Sequence, residues 1–169
     1  MTAVARPRYR RRIVTSDDGT TQDAATDDAV RLAVMRMFVD EARPPAPNEL
    51  ASIVGMTQAE VEASLRRLAD AHVIVLAPGT PLVWMANPFS ALPTPFEVRS
   101  GDRRWWGNCI WDALGVLATI GSDGEVRTSC PDCGEPLRLE VRDGEIGGDT
   151  AVVHYSTPAA QWWDDIGST

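Results

Sequence analysis

Val30, Ala33, Val34, Met37 and Phe38 fall at i, i+3, i+4, i+7 and i+8, which places one apolar stripe along one face of a helix. That helix should begin near Asp27 and end before Pro44-Pro45, where proline removes a backbone donor and blocks the preceding turn. A helix with a single apolar face is marginal alone in water, so the rest of the chain must cover it. Two further helices can do so. One lies near Asn48 to Val54 with Asn48 as its cap, and the other opens with the capping box Thr57-Gln58-Ala59-Glu60 and should bury Val61, Leu65, Leu68 and Ala69. Extended runs at His72 to Leu76 and Leu82 to Met85 flank the turn Pro78-Gly79-Thr80-Pro81 and predict a hairpin. Helix, short helix, helix and hairpin over residues 27–86 is the order of a winged-helix-like module.

Such a module raises the question of DNA reading by its third helix. Here that helix carries Arg66 and Arg67 against Glu60, Glu62 and Asp70. All 16 basic residues are arginine, and five of them (Arg6, Arg8, Arg10, Arg11, Arg12) crowd the first dozen positions. Past those positions eleven basic residues face 24 acidic ones, a balance of −13 that repels phosphate backbones. A scaffold or docking role is expected for the module, with nucleic acid not expected as a partner. Residues 1–26 lack hydrophobic periodicity and read as a disordered leader.

Residues 87–96 hold three prolines and read as an extended linker. Beyond it, residues 97–169 should form a small mixed or antiparallel β domain with one helix, from Asn108 to Leu117. Glu97-Val98, Glu125 to Ser129, Leu137 to Val141 and Ala151 to Tyr155 are its strand-like runs, divided by Gly and Asp turns. The expected class is therefore α+β. No apolar run approaches the ~18 residues of a membrane helix and no secretory signal is visible, so a cytoplasmic location is the default, without a membrane partner. Three cysteines do not suggest a disulfide scaffold; free thiols or metal ligands fit better. Neither a Gly-rich phosphate loop nor a Ser/His/Asp order is present.

The chemistry-bearing stretch is Trp105-Trp106-Gly107-Asn108-Cys109-Ile110-Trp111-Asp112-Ala113-Leu114. If Asn108 caps the helix, Cys109 stands in the first turn, where free N–H groups and the positive end of the macrodipole favour a thiolate. On that argument Cys109 is the most reactive of the three thiols. Asp112, three residues on, shares its face, and partial burial would keep the carboxyl protonated. Thiolate and acid together make a soft-metal ligand with a proton donor beside it; a buried structural cysteine and a dipole-favouring aspartate are the alternative. Trp105, Trp106 and Trp111 could wall an apolar pocket around this motif, with Trp162 and Trp163 near the end of the sequence, or could simply be core.

Cys109-Ile110-Trp111-Asp112-Ala113-Leu114 resembles the Cys-x-x-Asp-x-Leu motif of the organomercurial (alkylmercury) lyases, preceded there too by aromatic residues. Ser129-Cys130-Pro131-Asp132-Cys133-Gly134-Glu135-Pro136-Leu137 is similar to a cysteine-containing turn of that family, and the element order from residue 28 onward matches. The resemblance implies protonolysis of the carbon–mercury bond of a small organomercurial. Cys109 would hold the mercury, Asp112 would help deliver the proton, no resident cofactor would be required, and Hg(II) would remain as bound product for handover to a mercuric reductase. It further implies a second catalytic cysteine after a segment like Pro158 to Gly167. The sequence stops at Thr169, where that cysteine would be about to appear, so the expectation is a C-terminally truncated site with one of its two thiolates.

Cys133 departs from the family pattern and completes a Cys-x-x-Cys knuckle that resembles half a zinc ribbon. Cys109, Cys130 and Cys133 are thus candidate metal ligands, with an unmetallated turn or a redox pair as the alternatives for Cys130 and Cys133. Zinc at Cys130 and Cys133 would need further ligands, for which Cys109 and His154 are candidates, His72 belonging to the helical module. Two other functions stay open: a non-catalytic relative that binds mercury or another soft metal, and a winged-helix regulator that responds to metal.

Overall fold

The computed structural model describes residues 18–148, 152–155 and 157–167. Its first helix, α1 (Asp18–Glu41), presents the predicted stripe inward, with Val30, Ala33, Val34, Met37 and Phe38 all buried. It starts nine residues upstream of Asp27, so residues 18–26 are helical rather than part of a leader; the arginine-rich segment itself lies outside the described residues. The early turns are held by charge instead of by an apolar face. Arg67 reaches Asp27 at 2.6 Å and Asp23 at 3.6 Å, and the buried Ser64 hydroxyl donates to Asp27 at 2.6 Å. Hydrophobic periodicity cannot register such a segment.

The second helix, α2 (Pro47–Val54), begins at proline, with Ala46 rather than Asn48 as its cap. The Glu49 carboxylate accepts from the Ala46 N–H at 2.8 Å, satisfying a donor that the cap side chain cannot. The capping box of α3 (Gln58–Asp70) forms as predicted: the Glu60 N–H donates to the Thr57 hydroxyl, and the Glu60 carboxylate accepts from the Thr57 N–H. Val61, Leu65 and Leu68 are buried and Ala69 is half-buried. Both arginines of this helix are engaged within the chain, Arg66 with Glu62 and Arg67 with Asp27.

Strands β1 (Val75–Leu76) and β2 (Val83–Ala86) form the expected hairpin. A third strand, β3 (Phe89–Ser90), adds to β2, so the segment expected as a linker is part of the sheet. Phe89 is fully buried and stacks on Phe38 at 5.3 Å, an apolar contact worth more than an extended proline-rich tether could offer. One hydrophobic cluster runs from Val30 and Leu50 through Phe89 to Val98, Val116 and Leu139, joining the helical part to the second half of the chain.

The second sheet is antiparallel in the order β5-β4-β6-β7-β8. It comprises β4 (Glu97–Ser100), β5 (Arg103–Trp106), β6 (Gly124–Ser129), β7 (Pro136–Arg142) and β8 (Glu145–Gly148). The last strand lies earlier than the predicted run at Ala151 to Tyr155: residues 152–155 are not strand, and Ala151 lies outside the described residues. Asp143 and Gly144, at φ 52° and 78°, make the two-residue turn that pairs Arg142 with Glu145. Helix α4 (Ile110–Ile120) packs on β4 and β6 and buries Ala113, Val116 and Leu117. Residues 157–167 contain a 3-10 turn (Ala159–Asp164), and there Trp163 stacks on His72 at 4.2 Å. The protein is α+β. No described helix is long and apolar enough to cross a membrane.

Candidate active site

Between β5 and α4 the chain turns through Gly107, Asn108 and Cys109. The Gly107 N–H donates to the Phe96 carbonyl at 3.0 Å, and its own carbonyl accepts from the Thr94 hydroxyl at 2.6 Å. A β-carbon at this position would lie 2.5 Å from the Ala113 nitrogen and 2.7 Å from its Cα. Only glycine lets the strand end pass this close to the first turn of α4, and that approach fixes where the next two residues stand.

The helix cap is Cys109, not Asn108. Cys109 is extended (φ −145°, ψ −179°), and its sulfur accepts from the Asp112 N–H at 3.4 Å, the bond an N-cap oxygen would otherwise make. The cysteine and aspartate are therefore tied by backbone as well as by spacing. Asn108 instead orients the acid: its side-chain amide donates to the Asp112 carboxylate at 3.1 Å and to Asn87 Oδ1 at 3.1 Å. The buried Oδ1 of Asn108 has no hydrogen-bond partner among the described residues.

Burial sets the electrostatics of the pair. It raises the Cys109 thiol above its ordinary value and the neighbouring Asp112 carboxylate raises it further, outweighing the N–H groups of Asp112 and Trp111. The expected depressed thiolate at a helix start is thus corrected: a capping sulfur that is half-buried beside a carboxylate loses more to desolvation than it gains from two N–H groups. Asp112 is raised as well, by burial, against the opposing hydrogen bonds from Asn108. Cys130 moves the other way, lowered by N–H groups of Cys133 and Asp132 and by the Cys133 thiol.

Of the tryptophans expected around the motif, Trp105 belongs to the core, 4% exposed, with its indole N–H donating to the Phe38 carbonyl at 2.6 Å. Trp106 is half-buried under the Arg104 guanidinium, 5.2 Å from its ring. Trp111, at 64% exposure, is the one that lines a cleft, of about 440 Å³, together with Tyr155, Thr157, Pro158, Ala159 and Trp162. The phenol of Tyr155 is raised by burial and then by the negative charges of Cys109 and Asp112. Sequence reading missed both Asn108 as the aspartate's partner and Tyr155. The first lies just before the helix cap, where the helical i, i+4 spacing does not apply; the second depends on a fold-back that no local pattern encodes.

Cys130 and Cys133 lie in the turn between β6 and β7, Cys133 exposed and Cys130 half-buried. They are not gathered with Cys109: among the described residues no three His, Cys, Asp or Glu side chains form a group able to hold a metal ion. The four-ligand zinc arrangement is therefore not completed by the described residues, and a metal bound at Cys130 and Cys133 would have those two thiols as its protein ligands.

Residues 89–169 match the alkylmercury lyase family model. Among solved structures, the fold is similar to that of the mercury-bound form of MerB2, with a TM-score of 0.58 and 18% identity over 77% of this chain and 68% of that one. Comparison with curated protein sequences gives no match.

Proposed function

We propose, from the match of residues 89–169 to the alkylmercury lyase family model, that this protein cleaves the carbon–mercury bond of small organomercurials by protonolysis. The observation that carries the proposal is the tied pair, in which the Asp112 N–H bonds the Cys109 sulfur while burial raises the carboxyl toward its protonated form. An organomercurial R–Hg–X reacts at Cys109: the S–H proton leaves, a mercury–sulfur bond forms and X⁻ departs. Asp112, as carboxylate, takes that proton. The neutral acid then gives it to the carbon attached to mercury, the Hg–C bond breaks, R–H departs and Hg(II) stays on the Cys109 sulfur. Each step is redox-neutral, and the aspartate ends as a carboxylate, able to offset the charge of the metal.

Asn108 holds the acceptor side of Asp112 so that its other oxygen can turn toward the mercury-bound carbon. Trp111, Tyr155 and Trp162 supply apolar and aromatic walls suited to an organic group next to the pair. A second thiolate on mercury would raise its electron density and weaken the Hg–C bond. Because only Cys109 stands beside Asp112 among the described residues, a small thiol in solution fills that role in our reading, and handover of Hg(II) to a mercuric reductase would proceed by the same thiol exchange.

The test is hydrocarbon release from an arylmercury compound under excess small thiol. Release should be catalytic and should fall by on the order of 100-fold or more in Asp112→Asn, the span of a lost general acid, and to background in Cys109→Ser. Tight binding without release in the unaltered chain would instead favour a mercury-binding relative, the reading to which the single thiol beside Asp112 lends weight.

A further inference from the structure

We propose that the Cys130-x-x-Cys133 turn is a second binding site, separate from Cys109 and Asp112, in which two thiolates hold one soft, two-coordinate d¹⁰ cation such as Hg(II). The turn is built rather than loose. The Cys130 N–H donates to the Glu135 carbonyl at 2.8 Å, and the Gly134 N–H donates to the Cys130 carbonyl at 2.9 Å. Gly134 adopts φ 74°, a left-handed conformation that lets the chain double back beneath the sulfurs. The N–H groups of Asp132 and Cys133 and the neighbouring Cys133 thiol hold the Cys130 thiol below its ordinary pKa. This tight turn keeps both sulfurs on one short loop, where one soft cation can bridge them.

Ligand number selects the cation. Structural zinc takes four ligands, whereas the described residues bring no third His, Cys, Asp or Glu to these sulfurs. Hg(II) and Cu(I) are satisfied by two thiolates. Binding of Hg(II) displaces two protons to solvent, forms two Hg–S bonds and transfers no electrons. Cys133 is exposed, so the cation can exchange with thiols in solution. The site would accept Hg(II) whether or not the Cys109–Asp112 pair turns over.

The experiment uses the fully reduced Cys109→Ser chain, which retains only the knuckle thiols, titrated with Hg(II) against a competing small thiol. Stoichiometry is followed by sulfur-to-mercury charge-transfer absorption, ligand number by X-ray absorption, and assembly by gel filtration. One equivalent bound to a monomer with two sulfur neighbours is expected, with Zn(II) far weaker. Adding Cys133→Ser, at an exposed position that should leave the circular dichroism unchanged, should weaken binding by on the order of 100-fold or more, because the second sulfur's effective concentration is lost. Two equivalents on separate thiols, a mercury-bridged dimer, undiminished affinity in the double variant, or Zn(II) binding as tight as Hg(II) would each overturn the proposal. Because Cys109 is absent throughout, such a failure leaves the catalytic reading standing.

Discussion

A helix N-terminus does not by itself make a cysteine reactive. Cys109 spends its sulfur as a capping acceptor and is pushed up by burial, while the more open Cys130 is pulled down by N–H groups of its own turn. Competitive labelling with a small alkylating agent at neutral pH, followed by peptide mapping, should therefore modify Cys130 before Cys109. Labelling of Cys109 should gain steadily as pH rises, since burial holds its thiol above the ordinary value. Asp112 carries the opposite consequence for stability. Its folded-state pKa lies above the unfolded value, so its contribution is fully present below the unfolded pKa and is lost as pH rises through the folded one. Above its folded-state pKa the charged carboxylate weakens the fold, and there Asp112→Asn should raise Tm by a few degrees while abolishing most turnover. An unchanged or lower Tm would show that the acid is not held against its own solvation. The identity of this pair was legible in the sequence because its spacing is local. The direction of the pKa shift was legible only for Asp112, because the cost of burying the sulfur depends on neighbours distant in the chain.

Individual elements were readable wherever an apolar stripe or a cap wrote them. The inward face of α1, the capping box of α3 and the β1–β2 hairpin all follow from such signals. Elements defined by pairing partners were not: β3 hides in a proline-rich stretch, and β8 is set by a two-residue Asp-Gly turn rather than by its own Gly-rich composition. The juncture of β5 and α4 is where an element's placement decides chemistry. Gly107→Ala would force a methyl against the Ala113 backbone, which cannot step aside as a flexible side chain would. We expect a loss on the order of 1–3 kcal/mol, the usual range for overpacking, read by denaturant titration. Organomercurial turnover should fall more steeply than stability, because the start of α4 must move. A variant as stable and as active as the parent would show that this close approach does not position the pair.

At the scale of the whole chain, one apolar cluster includes residues from both the helical part and the second sheet. Phe38 on α1 stacks on Phe89 and accepts through its carbonyl from the Trp105 indole of the second sheet. Thermal unfolding followed by far-ultraviolet circular dichroism and by tryptophan fluorescence should accordingly give coincident midpoints; two separated transitions would mean that the halves are energetically independent. Tyr155 and Trp162 share a cleft with Trp111, and Trp163 rests on His72. In the proposed function the fold would serve a single chemical event, the passage of a proton from Asp112 to a carbon held through mercury on Cys109. Its most direct test is single-turnover hydrocarbon release from chain loaded with one equivalent of a phenylmercury compound, measured across pH for the parent and for Asp112→Asn. The account predicts release that falls as pH rises through the elevated pKa of Asp112, and a variant slower by on the order of 100-fold or more with no such pH dependence. Equal rates and parallel pH profiles in the two proteins would contradict it.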